Sequence, residues 1–178
     1  AQGAIRETGN PTDVALRGPG WIAMQAADGS EVYTRNGELR VTNAGLLTGQ
    51  GGLAVAGDNG PISLPPDGRV VISDDGTVSS RDVRGISTIV GRIRLVNPPA
   101  DQLQRGDDGF FRVRDNQPAQ ADASVRLIAG SLEGSNVNAV DAMVNMISLS
   151  RAFELQMSLL KNAESNEAKA SQILSMNP

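Results

Sequence analysis

The chain has 178 residues, 39% hydrophobic but only 3% aromatic, with 20 acidic groups against 16 basic ones and a net charge of −4. It contains no His and no Cys, which excludes a Ser-His-Asp triad, a cysteine nucleophile, thiolate or imidazole metal sites and disulfides. Acid–base chemistry would rest on carboxylates, on Lys161 and Lys169 or on Tyr33, and an acidic chain lacks the basic face that nucleic acid requires.

Every glycine lies at or before Gly134, and every proline except Pro178 lies at or before Pro118. That change predicts a mainly β body over residues 1–134, an irregular sandwich or barrel-like domain, followed by one helix over residues 135–178. In the body, Trp21 to Ala26 reads as a strand ending in Asp28-Gly29, and Glu31 to Arg35 as a strand ending in Asn36-Gly37. Both dipeptides supply the positive φ of tight hairpin turns. Strands at Glu38–Val41, Leu46–Thr48, Leu53–Ala56, Pro61–Leu64, Arg69–Ile72 and Thr77–Ser79 follow, then Val90–Val96, Phe110–Arg114 and Val125–Ala129. Turn signals about every 8–12 residues fit such a body. Gly37–Leu46 echoes Gly68–Thr77 as strand, turn, strand, which is too little for a solenoid. Pro98-Pro99 and the polar stretch Asp101–Asp108 mark the edges of a small inserted lobe.

In the tail, Ser135 or Asn136 can cap the helix, with Asp141 near its positive end. Val137, Val140, Val144 and Ile147 recur at steps of three and four, and Met143, Met146, Phe153, Met157 and Leu160 carry the apolar stripe onward around the helix. A stripe of this length needs other helices, so the tail reads as an assembly element. Arg151 interrupts it, with Glu154 three residues on, either as an exposed ion pair or as a polar contact that sets register between packed helices. No run of roughly 18 apolar residues exists to cross a membrane.

Candidate chemistry is thin. Asp74-Asp75-Gly76 and Asp107-Asp108-Gly109 pair carboxylates, but neighbours on a strand face opposite sides and both pairs end as turns do. Arg105-Gly106-Asp107 lies within the second of these turn signals, and Gly49-Gln-Gly51-Gly52 lacks the Lys-Ser/Thr ending of a phosphate loop. No catalytic, cofactor-binding or metal-ligating set emerges. A carbohydrate-binding or carboxylate hydrolase module, or an adhesin or phage-tail subunit, is the alternative to an assembly protein.

Three stretches carry a family resemblance. Leu132-Glu-Gly-Ser-Asn-Val-Asn138, running on through Ile147 to Ser150-Arg-Ala-Phe-Glu154, resembles the C-terminal signature of bacterial flagellar rod and hook proteins. Asp13-Val-Ala-Leu-Arg-Gly-Pro-Gly-Trp-Ile22 and Asp28-Gly-Ser-Glu-Val-Tyr-Thr-Arg-Asn-Gly37 resemble their internal core motif. Gln104 to Arg112 and the ending Leu174-Ser-Met are most similar to the proximal rod branch, with the distal branch as runner-up. The resemblance singles out Asp13, Gly18, Gly20, Trp21, Tyr33, Thr34, Arg35 and Gly37 in the core, and Glu133, Ser135, Asn136, Asn138, Arg151 and Glu154 in the tail. It implies a non-enzymatic structural subunit that stacks helically with copies of itself and other rod proteins, forming a drive shaft across the periplasm. It further implies passage through the flagellar type III export apparatus without a cleaved signal peptide, and neither small-molecule ligand nor nucleic acid as partner. The family's N-terminal helix, which pairs with the tail, has no counterpart before the core motif in this sequence.

Overall fold

The computed structural model describes residues 3–66, 68–115, 117–135 and 139–175, with helix side chains described over 143–163. The chain divides into two compact units, Ala1–Asn136 and Val137–Pro178.

The first unit is mainly β, and its strands are short because turn residues interrupt the chain so often. β1 (Ile5–Glu7), β2 (Val14–Arg17), β3 (Trp21–Gln25) and β4 (Glu31–Thr34) come first, then β5 (Arg40–Val41), β6 (Leu47–Thr48), β7 (Ala54–Gly57) and β8 (Gly60–Pro61). β9 (Arg69–Ile72), β10 (Thr77–Arg81) and β11 (Ser87–Arg92) form a three-stranded antiparallel sheet of their own. β12 (Leu95–Val96), β13 (Leu103–Arg105), β14 (Phe111–Val113), β15 (Arg126–Ala129) and β16 (Ser131–Glu133) complete the unit. The largest sheet runs β13-β14-β4-β3-β7-β6-β5, with β12 beside β3 and β8 beside β7.

β3 is central because Ile22, Ala23 and Met24 are apolar on both faces and all fully buried. Alternate residues point to opposite sides. Ile22 and Met24 enter the main core with Val14, Leu16, Leu39 and Val55, while Ala23 meets Tyr33, Val96 and Val113 on the other side.

Two pairings join the ends of this unit. β2 lies antiparallel to β15, with Leu16 opposite Leu127, and β1 lies antiparallel to β16, with Ile5 opposite Glu133. None of β1, β2, β13 or β16 was expected from the sequence. The expected strand Val90–Val96 breaks in two, because the Ile93 amide donates to Gly76 O at 2.8 Å and the Arg94 amide to Ala56 O at 2.9 Å. The chain thereby leaves the three-stranded sheet for the large one.

Asp28-Gly29 closes the β3–β4 hairpin as expected, with Gly29 at φ 84°. Asn36-Gly37 closes no hairpin. β4 takes β14 as its second neighbour through Phe111 and Tyr33, and β5 pairs with β6. Gly37 is needed for space instead: Val14 N–H donates to its carbonyl at 2.9 Å, and a Cβ there would lie 1.7 Å from Val14 O. The sequence echo corresponds to two like turns, Thr42–Gly45 and Ser73–Gly76, each closed by the glycine amide at 2.8 and 3.0 Å.

In the second unit the described residues form one helix, α1 (Ala139–Ser175), of 37 residues and about 55 Å in length. Neither glycine nor proline interrupts it, which accounts for its continuity.

Candidate assembly interface

Four of the core-motif residues, Gly18, Gly20, Trp21 and Arg35, converge with one tail-motif residue, Glu133, on a single joint. Arg35 follows β4 directly, and its guanidinium donates from Nη1 to Gly20 O at 2.7 Å and from Nη2 to Gly18 O at 3.2 Å. Nε and Nη2 of the same fork reach Glu133 Oε2 at 2.9 and 2.6 Å. The other carboxylate oxygen accepts from the Gly3 amide at 3.0 Å. Trp21 covers the guanidinium, its ring centre 6.0 Å from Arg35 Cζ, and Trp21 in turn packs on Phe111 at 4.4 Å. Glu133 ends β16, so this clasp ties the last strand before the helix to the loop between β2 and β3.

The glycines of the motif fit that arrangement. Gly18 and Gly20 turn their carbonyls toward Arg35 from positive φ, 84° and 138°. A Cβ on Gly20 would sit 2.7 Å from Val125 Cγ1. Asp13, 5% exposed, accepts from Thr8 Oγ1 at 2.7 Å and Asn10 Nδ2 at 3.0 Å, fixing the chain where it enters β2. Thr34 Oγ1 lies 3.2 Å from Gln50 Oε1 and accepts the Asn36 amide at 3.0 Å.

Tyr33 lies in a second buried network. Its hydroxyl donates to Glu31 Oε1 at 2.8 Å and accepts from the Ala119 amide at 2.7 Å. Burial is the main cause that pushes its pKa up to about 12. Arg94 closes the ring, donating from Nη2 to Ala119 O at 2.8 Å with Nε 3.4 Å from Glu31 Oε2. Glu31, Arg94 and Ala119 were not singled out from the sequence. The only signal was that Arg94 breaks the apolar pattern of Val90–Val96.

The paired acids are turn residues. Asp75 caps the Thr77 amide at 3.0 Å, and those bonds to Thr77 hold its carboxyl below the usual range. Asp108 is held low chiefly by Arg112, which binds it at 3.0 and 2.6 Å. A general acid needs the opposite shift. Among the described residues no group of three or more acidic side chains could hold a metal ion.

On α1, every described side chain is exposed. Of the expected stripe, Val144, Ile147, Phe153, Met157 and Leu160 are 54, 55, 65, 52 and 56% exposed. Asn136, Val137 and Asn138, and the side chains of Val140 and Asp141, lie outside the described residues. At about 100° per residue, Val144 and Ile147 fall on one side of the helix and Phe153, Met157 and Leu160 on the opposite one. Leu155 and Leu159 join the first side, and Met146 and Leu149 join the second, all exposed by 62–72%. The apolar surface therefore goes round the helix, as the sequence pattern implied. Arg151 and Glu154 are exposed, and among the described residues they form no ion pair with each other.

Comparison with known proteins places these features in a family. The model of the flagellar hook protein FlgE/F/G D1 domain matches residues 15–80, and that of the flagellar basal-body rod FlgEFG protein C-terminal region matches residues 128–173. The flagellar basal-body rod protein FlgF of Escherichia coli strain K12 is 45% identical over 183 residues, covering 98% of this chain and 72% of the relative. FlgF of Salmonella typhimurium strain LT2 is 43% identical over the same shares. FlgG of Agrobacterium fabrum is 30% identical, over 92% of this chain and 64% of the relative.

Proposed function

From the premise that this chain belongs to the family of flagellar basal-body rod proteins, we propose how it serves as a structural subunit of the basal-body rod. The helix is the assembly element, and Val137, Val140, Val144, Ile147, Phe153, Met157 and Leu160 meet helices of neighbouring subunits. One observation carries this reading: apolar side chains from Met143 to Leu160 are more than half exposed on both sides of α1. Apolar side chains on both sides of a helix leave water only when other helices pack against it. At about 25 cal/mol per Å² of apolar surface removed from water, such enclosure is a large driving force for assembly.

Contacts that repeat without closing on themselves build a helical filament. The shaft so built carries torque across the periplasm after its subunits pass through the flagellar type III apparatus. The reading is non-enzymatic, supported by the lowered pKa of Asp75 and Asp108 and the absence of His and Cys.

The test is Ile147→Asp with Phe153→Asp, one charge on each side of the helix. Cells carrying the double variant should build no rod and lose motility, while the purified chain keeps the β circular-dichroism signal of residues 1–136. Normal rods in those cells would overturn the role given to the helix.

A further inference from the structure

The β9–β11 sheet presents an outer face that the helix reading does not use. In register, Ser79 of β10 stands between Val71 of β9 and Ile89 of β11, so these side chains share one face. Val71 and Ile89 are 43% and 72% exposed, and at the β10–β11 tip Val83 and Ile86 are 93% and 59% exposed. Three branched apolar residues on one exposed hairpin, with Val71 of β9 beside them, are unusual where turns are normally polar.

The tip is held in shape. The Asp82 carboxylate accepts the Arg84 and Ile86 amides at 2.9 Å each, and the turn closes through Asp82 N–H to Ile86 O at 3.0 Å. Against that one acid stand Arg84, Arg81 and Arg69, which lies opposite Arg81 in register, so the tip is net positive. The surface that fits is concave and acidic.

The same unit carries one. An open cleft of about 590 Å³ is lined by Pro98, Val113, Ala119 and Ala121 with Asp115 and Asp122, and no basic residue is among its lining. The hairpin cannot fill its own cleft. Its base adjoins the cleft, since Asp75 and Arg92 share a small cavity with Ala121 and Asp122. Strand β10 carries the tip away from that base by about 20 Å.

We infer that the β10–β11 tip, Val83 and Ile86 flanked by Arg81 and Arg84, docks into the acidic 97–123 cleft of a second copy of this chain. Tip and cleft are different surfaces, so the contact is heterologous and extends from copy to copy, as a rod requires. The inference rests on the rod reading and adds a second seam between β units.

The experiment places a photoreactive benzoylphenylalanine at position 83 of the full chain in flagellated cells and isolates basal bodies after illumination. The expected product is a dimer of this chain, with the cross-link mapping between residues 97 and 123. Arg84→Glu should lower its yield about fivefold, as for a rim ion pair, and adding Asp115→Arg should restore it. A cross-link to a different protein, or elsewhere on the second copy, overturns the docking. So does the chain's presence in basal bodies with no cross-link, which leaves the rod reading standing. Absence of the chain from basal bodies overturns the rod reading and this inference with it.

Discussion

Replacing Glu133 with Gln is the sharpest test of the clasp that joins the core motif to the tail motif. The variant keeps an oxygen for the Gly3 amide but removes the charge that faces Arg35. The two side chains are 22% and 11% exposed, and Arg35 retains the Gly18 and Gly20 carbonyls. A hydrogen bond to a charged group contributes about 1.5–3 kcal/mol, while stripping one partner from a fully buried pair costs about 3–5 kcal/mol. With Arg35 partly in water, the expected loss lies toward the lower range, about 2 kcal/mol. For a domain of this size that lowers Tm by about 4–8 °C. Trp21, the chain's one tryptophan, packs over the guanidinium and reports unfolding of this corner by fluorescence. Arg35→Lys should also destabilise, by about 1–2 kcal/mol, since a single ammonium cannot span two carbonyls and a carboxylate. The double variant should lose less than the sum, because both changes break one interaction. If Glu133→Gln unfolds within about 0.5 kcal/mol of the parent chain, the clasp is not a stabilising joint and the reasoning fails.

Two further outcomes follow from the core motif. Gly37→Ala puts a methyl 1.7 Å from Val14 O, so β2 must move; a loss of about 3 kcal/mol or more is expected in thermal melts, and a melt unchanged from the parent would refute it. Tyr33→Phe leaves the Ala119 amide without its acceptor and should cost about 1–3 kcal/mol. Because the folded pKa is raised from 10.0 to about 12, the folded state holds this proton longer than the unfolded one. Stability linked to Tyr33 is therefore complete below pH 10 and is lost as pH rises toward 12. Tyr33 is the chain's one tyrosine, so tyrosinate absorbance reads its titration directly; a midpoint near 10 would contradict the buried network.

The turns and the helix were legible because their signals are local. Asp28-Gly29 and Ser73–Gly76 announce themselves by glycine position, and α1 by an unbroken stretch without glycine or proline. The pairings of β1 with β16 and of β2 with β15 were not legible, since strands of three or four residues carry little pattern and their partners lie more than a hundred positions away. Asn36-Gly37 misled for the same reason, a distant partner, β14, taking the place beside β4 that a hairpin would have given to β5. The family motifs marked Arg35 and Glu133 as notable, but nothing local showed that they touch across 98 positions.

That contact explains how a short strand can anchor a long helix. β16 and β1 share only three register pairs, and a two-stranded ribbon of that length is marginal by itself. Glu133 is its last residue, immediately before the chain passes into the segment leading to α1. Through Arg35 it is tied to Gly18 and Gly20. Gly20 is pressed against Val125, which precedes β15, and β15 is paired along its length with β2. Load entering the chain at residue 134 is thus met by β2, β4, β15 and β16 together, and by the buried sheet behind them, before it can peel β16 from β1. On the proposed reading, in which the helix packs on neighbours, pull along the helix reaches β16 first, and the clasp shares it beyond the three register pairs that β16 makes with β1.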